Sequence, residues 1–261
     1  MWDWRCRRDG EPLWRAAGGA QAAIPVYTTE GGWLHLGIDA LVRQTLEAQQ
    51  AGFKGAKLKV GKPLLAEDIE RLRAVRQAVG DSFELMVDAN QCFALGEALR
   101  RAPRYAELGI GWFEEPLPAD DLQGHAQLAA QGALPIAVGE SLYSIGQFAD
   151  YVRAQACHIV QVDVARVGGI TPWLKVAHLA EACNLAVAPH FQLVISAATF
   201  APPLSSASTA LKRGFSQLRS HSNATISTLT RVAPASCRRC IARALFSALR
   251  RLGVLQTLQR L

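Results

Sequence analysis

Acidic residues are absent from the last stretch of this sequence. Residues 191–261 hold ten Lys/Arg and no Asp or Glu, so the net charge of +6 is an average over two unlike segments. The first 190 residues carry 18 basic side chains against all 22 acidic ones, a balance of −4. A basic chain ordinarily points to nucleic acid or an anionic membrane, but here that signal belongs to the tail alone. Also lacking are an apolar run of about 18 residues and a secretory h-region, which argues against a spanning helix and an exported chain. The six cysteines are scattered without a disulfide framework, and neither they nor the six histidines show paired metal-ligand spacing. Cys237-x-x-Cys240 stands alone in the tail and carries no weight. Together these absences predict a reduced, soluble, cytoplasmic protein with neither nucleic acid nor a membrane among its partners.

The chain has 261 residues, half of them apolar, enough for one large domain or two small ones. From about residue 24, β-branched runs alternate with amphipathic helical stretches. The runs are "IPVYTT", "AKLKV", "ELMVDAN", "GWFEEP", "PIAVGE", "HIVQVD" and "LAVAPH". Between the second and third, Ile69, Leu72, Val75 and Val79 recur at helical spacing, and Gly80 sits where that helix should stop. Six of the runs end in an ionisable group, namely Lys59, Asp88, Glu114, Glu140, Asp163 and His190, at gaps of 29, 26, 26, 23 and 27 residues. One βα unit needs about 30 residues of chain. Parallel strands joined by helices therefore predict a β/α barrel, whose strand ends converge at one mouth. An open doubly wound sheet is the alternative, but it does not bring six consecutive strand ends together.

Three carboxylates at consecutive strand ends, Asp88, Glu114 and Glu140, would crowd like charges unless a cation joins them. Oxygen ligands with room for water and substrate oxygens favour Mg²⁺ over Zn²⁺. Lys59 flanks this group on one side, and Asp163 with His190 on the other. Lys57, two residues from Lys59, shares its face and as a second cation would make Lys59 a more usable base. Asp163 could hold the His190 imidazole in one tautomer. Two bases across a Mg²⁺ suggest removal of a proton from carbon beside a carboxylate, the metal stabilising the ene-diolate.

The motifs "KLKVG", "MVDANQ", "FEEPL", "VGES", "VDVARVGGIT" and "APHF" resemble the enolase superfamily, and within it the mandelate racemase subgroup with the flavour of its galactarate and talarate dehydratases. The resemblance covers roughly residues 10–191 and implies an α/β fold with a TIM-like (β/α) barrel. It implies that Asp88, Glu114 and Glu140 bind Mg²⁺ and that Lys59 is one acid/base. His190 with Asp163 would be the other, Lys57 would assist and contact substrate, and Asn90 would lie near the substrate. Glu115, the second acid of the Glu-Glu-Pro motif, reads as supporting. The implied substrate is a small carboxylate, a sugar acid or hydroxy acid, and intact members are expected to be homo-oligomers. Sugar-acid dehydration is the leading reaction. Racemisation or epimerisation of an α-hydroxy acid is the rival, and an inactive fragment is the reading of another class.

The sequence departs from the family pattern at both ends. Residues 1–22 look like the last part of an N-terminal capping domain, and 23–191 like a barrel. Residues 192–261 lack the Glu that the last barrel strand usually brings. The expectation is an incomplete barrel without most of its α+β cap and without a normal eighth strand. The tail has three readings: a basic binding module, a disordered extension, or a frameshifted segment, of which the last is favoured.

Overall fold

Each of the seven β-branched runs forms a strand. In the computed structural model, which describes residues 1–19 and 23–190, these are β1 (Tyr27–Thr28), β2 (Gly55–Lys59), β3 (Glu84–Asp88), β4 (Ile110–Glu114), β5 (Ile136–Val138), β6 (Ile159–Val160) and β7 (Ala186–Val187). They pair in chain order into one seven-stranded sheet, and every neighbouring pair is parallel. Parallel neighbours need a crossover, and each crossover carries a helix: α3 (Ile38–Gln50), α4 (Leu65–Val79), α5 (Leu95–Ala106), α6 (Leu122–Ala130), α7 (Ile145–Arg153) and α8 (Ile170–Ala182). Two further helices, α1 (Trp2–Asp9) and α2 (Leu13–Ala16), precede the sheet. Of the described residues, Met1–Trp4 and 23–190 belong to one compact unit and Arg5–Gly19 to a second. The tail and the eighth-strand position fall outside the described residues.

The sheet is curled. The rings of Tyr27 on β1 and Trp112 on β4 meet edge to face with centroids 5.3 Å apart, whereas three strand spacings in a flat sheet would separate them by about 14 Å. Side chains of strands far apart in the sheet thus share one interior, as a sheet curled toward a β/α barrel requires. The helices fill the outer layer by the same logic that predicted α4. Ile69, Leu72, Val75 and Val79 are all buried, and the helix stops at Gly80, whose φ of +75° suits a residue without Cβ. At the other end of α4 the Glu67 carboxylate accepts a hydrogen bond from the Leu64 N–H at 3.0 Å.

Strand length differs from expectation in the second half of the sheet. Lys59, Asp88 and Glu114 are the last residues of β2, β3 and β4, but Glu140, Asp163 and His190 lie two or three residues beyond β5, β6 and β7. Gly139 shows why. Its φ of +146° turns the chain after β5, and a Cβ there would stand 2.7 Å from the Gln161 backbone. The ladder ends so that two loops can pass this closely, and the loops deliver the polar groups to the mouth.

Candidate metal and acid/base site

Asp88, Glu114 and Glu140 come together at the C-terminal ends of β3, β4 and β5, each offering an oxygen within 4.8 Å of the others. Oxygens held about 2.0–2.1 Å from an octahedral ion are themselves about 3 to 4 Å apart, so this donor set suits one hard divalent cation such as Mg²⁺. All three ligand atoms are carboxylate oxygens, with no thiolate or imidazole to select a softer metal.

The cations of β2 sit beside the first two acids. Lys57 is buried, and its ammonium contacts Glu114 Oε1 closely and Asp88 Oδ2 at 3.2 Å. Burial disfavours this charge, but Glu114 and Asp88 outweigh the penalty and raise the Lys57 pKa. Lys59 Nζ lies 2.5 Å from Asp88 Oδ2 and 6.0 Å from the centre of the Trp33 ring. Lys57 is therefore a second cation near Lys59, but one paired with acids. Two carboxylates already offset its charge.

Burial disfavours ionised Asp88, and Lys57 and Lys59 together hold its pKa below the usual carboxylate range. Glu114 goes the other way. Its burial, reinforced by the Asp88 charge, pushes it up to about 7 despite Lys57. Three neutral donors complete the surroundings of these acids. Asn90 N–H donates to Asp88 Oδ1 at 2.8 Å, and Glu114 Oε2 accepts from Gln161 Nε2 at 2.6 Å and Trp112 Nε1 at 3.3 Å.

On the opposite side, His190 bridges two acids. Nδ1 is 2.8 Å from Asp163 Oδ2, and Nε2 is 3.1 Å from Glu140 Oε2. Asp163 is itself fixed, since Oδ1 accepts from the backbone N–H groups of Ala165 at 2.7 Å and Arg166 at 2.9 Å. Burial works against its charge, and the His190 hydrogen bond with these N–H donors lowers its pKa nonetheless. Arg166 donates to the Glu140 carbonyl at 2.6 Å, holding the third acid from behind.

The predicted residues thus form one row running Lys59, Asp88, Glu114, Glu140, His190, Asp163, with Lys57 beneath. Their accessibility is graded. The Lys57, Asp88 and Glu114 side chains are 4 %, 0 % and 0 % exposed, against 17 % for Lys59 and 19 % for His190. A ligand would therefore meet Lys59 and His190 at the open side and the Asp88 and Glu114 carboxylates below them. Asn90 lies in the exposed loop after β3 with φ +45°, and the structure shows its backbone, not its side chain, in contact with the site. Glu115 is buried next to Glu114 with φ +39°. This left-handed turn separates the two consecutive acids and leaves Glu115 with Gln91 Nε2 at 3.3 Å.

Sequence reasoning missed Gln161, Arg166 and Trp33. Gln161 had a signal, because it stands two residues before Asp163 in an extended run and so shares its face. The loop after Lys59 is also tied from outside the barrel, by an unforeseen buried group. Asp68 on α4 accepts from the N–H groups of Gly61 at 3.0 Å and Lys62 at 3.2 Å, while Arg101 at 2.6 Å and Tyr105 at 2.9 Å anchor the same carboxylate to α5.

Comparison with known proteins agrees with this geometry. The chain is 43% identical over 195 residues to an L-talarate/galactarate dehydratase of Salmonella typhimurium, covering 75% of this chain and 49% of that protein. It is 40% identical over 191 residues to a 3,6-anhydro-alpha-L-galactonate cycloisomerase of Streptomyces coelicolor, covering 73% and 52%. A crystal structure of an L-talarate dehydratase from Polaromonas sp. JS666, complexed with Mg and L-glucarate, superposes with a TM-score of 0.73 at 42% identity, covering 76% of this chain and 55% of that one. The chain spans about half the length of the curated relatives it matches. A protein-family model described as "Enolase C-terminal domain-like" matches residues 40–233. With more than half of its length matched, the chain belongs to the enolase C-terminal domain-like family.

Proposed function

We propose that this chain carries the Mg²⁺ site and the acid/base groups of a sugar-acid dehydratase. The observation that carries the reading is the carboxylate triad within 4.8 Å, with Lys59 against its first acid and the His190–Asp163 pair against its last. The similarity to the dehydratases of talarate, galactarate and arabinonate supports sugar acids as the substrate class. Asp88, Glu114 and Glu140 hold Mg²⁺, which supplies positive charge where a substrate carboxylate accumulates negative charge during proton removal.

The chain's own groups do the rest. Lys59 adjoins the first carboxylate and His190 the third, so a substrate carbon between them has a proton-transfer group on each side. One takes the proton alpha to the carboxylate. His190, its ring orientation set by Asp163, then gives a proton to the departing β-hydroxyl, which leaves as water. The remaining enol becomes the 2-keto acid. The small substrate, a cytoplasmic location and homo-oligomerisation of the intact protein belong to the same proposal, as do a cap segment in 1–22 and a barrel segment in 23–191. Among the described residues no helix is long and apolar enough to cross a membrane.

The test is direct. Incubation of the purified chain with MgCl₂ and talarate, galactarate, glucarate or arabinonate is expected to give a 2-keto product that EDTA abolishes. Exchange of the α-proton with solvent deuterium without keto product would replace dehydration by racemisation. Undiminished turnover in Lys59→Ala would overturn both.

A further inference from the structure

Gln161 is buried, polar and uncharged, and it stands where the two halves of the site meet. Its amide Nε2 donates to Glu114 Oε2 at 2.6 Å, while Lys57 occupies the other oxygen of the same carboxylate. Both oxygens of this middle acid are thus gripped by donors from β2 and from the segment after β6. The gripping amide is held in turn. The Gln161 N–H donates to the Val138 carbonyl at 2.8 Å, and the Gln161 backbone packs on Gly139, the residue before Glu140. The phenol of Tyr27 on β1 lies against the amide from across the barrel. Two residues onward, Asp163 holds His190. One short segment therefore touches the second acid through its side chain, approaches the third through its backbone, and carries the partner of the proton-transfer histidine.

The remaining Gln161 atom is informative. Among the described residues amide Oε1 is buried and no group donates to it in hydrogen-bond geometry, although the Tyr27 phenol is its neighbour; a buried acceptor left without a donor costs about 1–3 kcal/mol. A residue chosen only to fill space beneath the sheet would be apolar, since Leu or Met fills the volume without that penalty. What Gln adds is one N–H aimed at a carboxylate oxygen.

We propose that Gln161 is a positioning residue whose side-chain N–H fixes the Glu114 carboxylate for the divalent cation. The inference rests on the metal reading above. Groups that orient metal ligands without touching the metal change affinity by about 10–100-fold when removed. Isothermal titration of MgCl₂ into the chain, and melting in EDTA, separate orientation from stability. Gln161→Met, similar in length but without the N–H, is expected to weaken Mg²⁺ about 10–100-fold while keeping a cooperative melt in EDTA. Gln161→Asn keeps the amide on a shorter arm and is expected to recover part of the affinity. Equal Mg²⁺ affinity in Gln161→Met and the unaltered chain would overturn the role of Gln161 and leave the metal reading standing. Loss of a cooperative EDTA melt in both variants would also overturn it, making Gln161 a structural residue. No Mg²⁺ binding by the unaltered chain would sink the metal reading and this inference together.

Discussion

Asp163 Oδ2 lies 2.8 Å from His190 Nδ1, and this contact turns the other ring nitrogen toward Glu140 at 3.1 Å. An imidazole so held presents one nitrogen to the mouth. Asp163→Asn is expected to lower turnover of a sugar acid at least about 100-fold, the lower end for a lost acid/base group. The same substitution has a stability signature in acid. The folded pKa of Asp163 is depressed, so its contribution is complete above the unfolded value of about 3.9 and is lost as pH falls through the lower folded value. Melting temperature should therefore fall more steeply below about pH 4 in the unaltered chain than in Asp163→Asn.

Lys57 is the counter-charge of the buried floor. Replacing it by Met leaves Glu114 and Asp88 without their shared ammonium, and breaking a buried ion pair from one side costs about 3–5 kcal/mol. Urea unfolding in EDTA should show this loss. Adding MgCl₂ should raise the stability of Lys57→Met by more than that of the unaltered chain, because the cation replaces part of the missing charge.

The Asp68–Arg101 pair acts on the loop that follows Lys59. Arg101→Met leaves the buried Asp68 carboxylate with its Tyr105 and backbone donors but without its paired guanidinium, at an expected cost of up to about 3–5 kcal/mol, eased by the charge of nearby Arg71. Hydrogen exchange should rise first at the Gly61 and Lys62 amides, which bond to that carboxylate. Equal protection of these amides in variant and parent would contradict the tether.

Gly139 tests the close approach of two loops. Gly139→Ala puts a Cβ 2.7 Å from the Gln161 backbone at a φ that L residues rarely adopt. A loss of at least about 1–3 kcal/mol in urea unfolding is expected, together with weaker Mg²⁺ binding, because Glu140 is the next residue.

The seven strands were legible because each carries its own apolar run between turn signals, and the ordered polar groups were legible because the βα repeat spaces them evenly. The triad could be read since Asp88 and Glu114 occupy strand ends, where position and direction follow from the repeat. Glu140, Asp163 and His190 were assigned correctly to the mouth but not to loops, because strand length depends on how closely neighbouring loops pass. The neighbours of Lys57 stayed hidden for a related reason. Sequence spacing showed a lysine next to a lysine, whereas the curl of the sheet set it against two acids from the next strands. Gln161 and Asp68 stayed hidden because their work depends on who surrounds them, and no local pattern records that.

The strand order has a consequence for how the site comes into being. Each strand is laid beside the one made just before it, so sheet growth can follow synthesis from the N-terminus. The carboxylates at residues 88, 114 and 140 are present once the chain has grown just past β5, while the histidine at residue 190 follows a further fifty residues later. On the proposed reading, the residues that would hold the ion and the histidine that would move a proton therefore enter the growing chain at different moments of its synthesis.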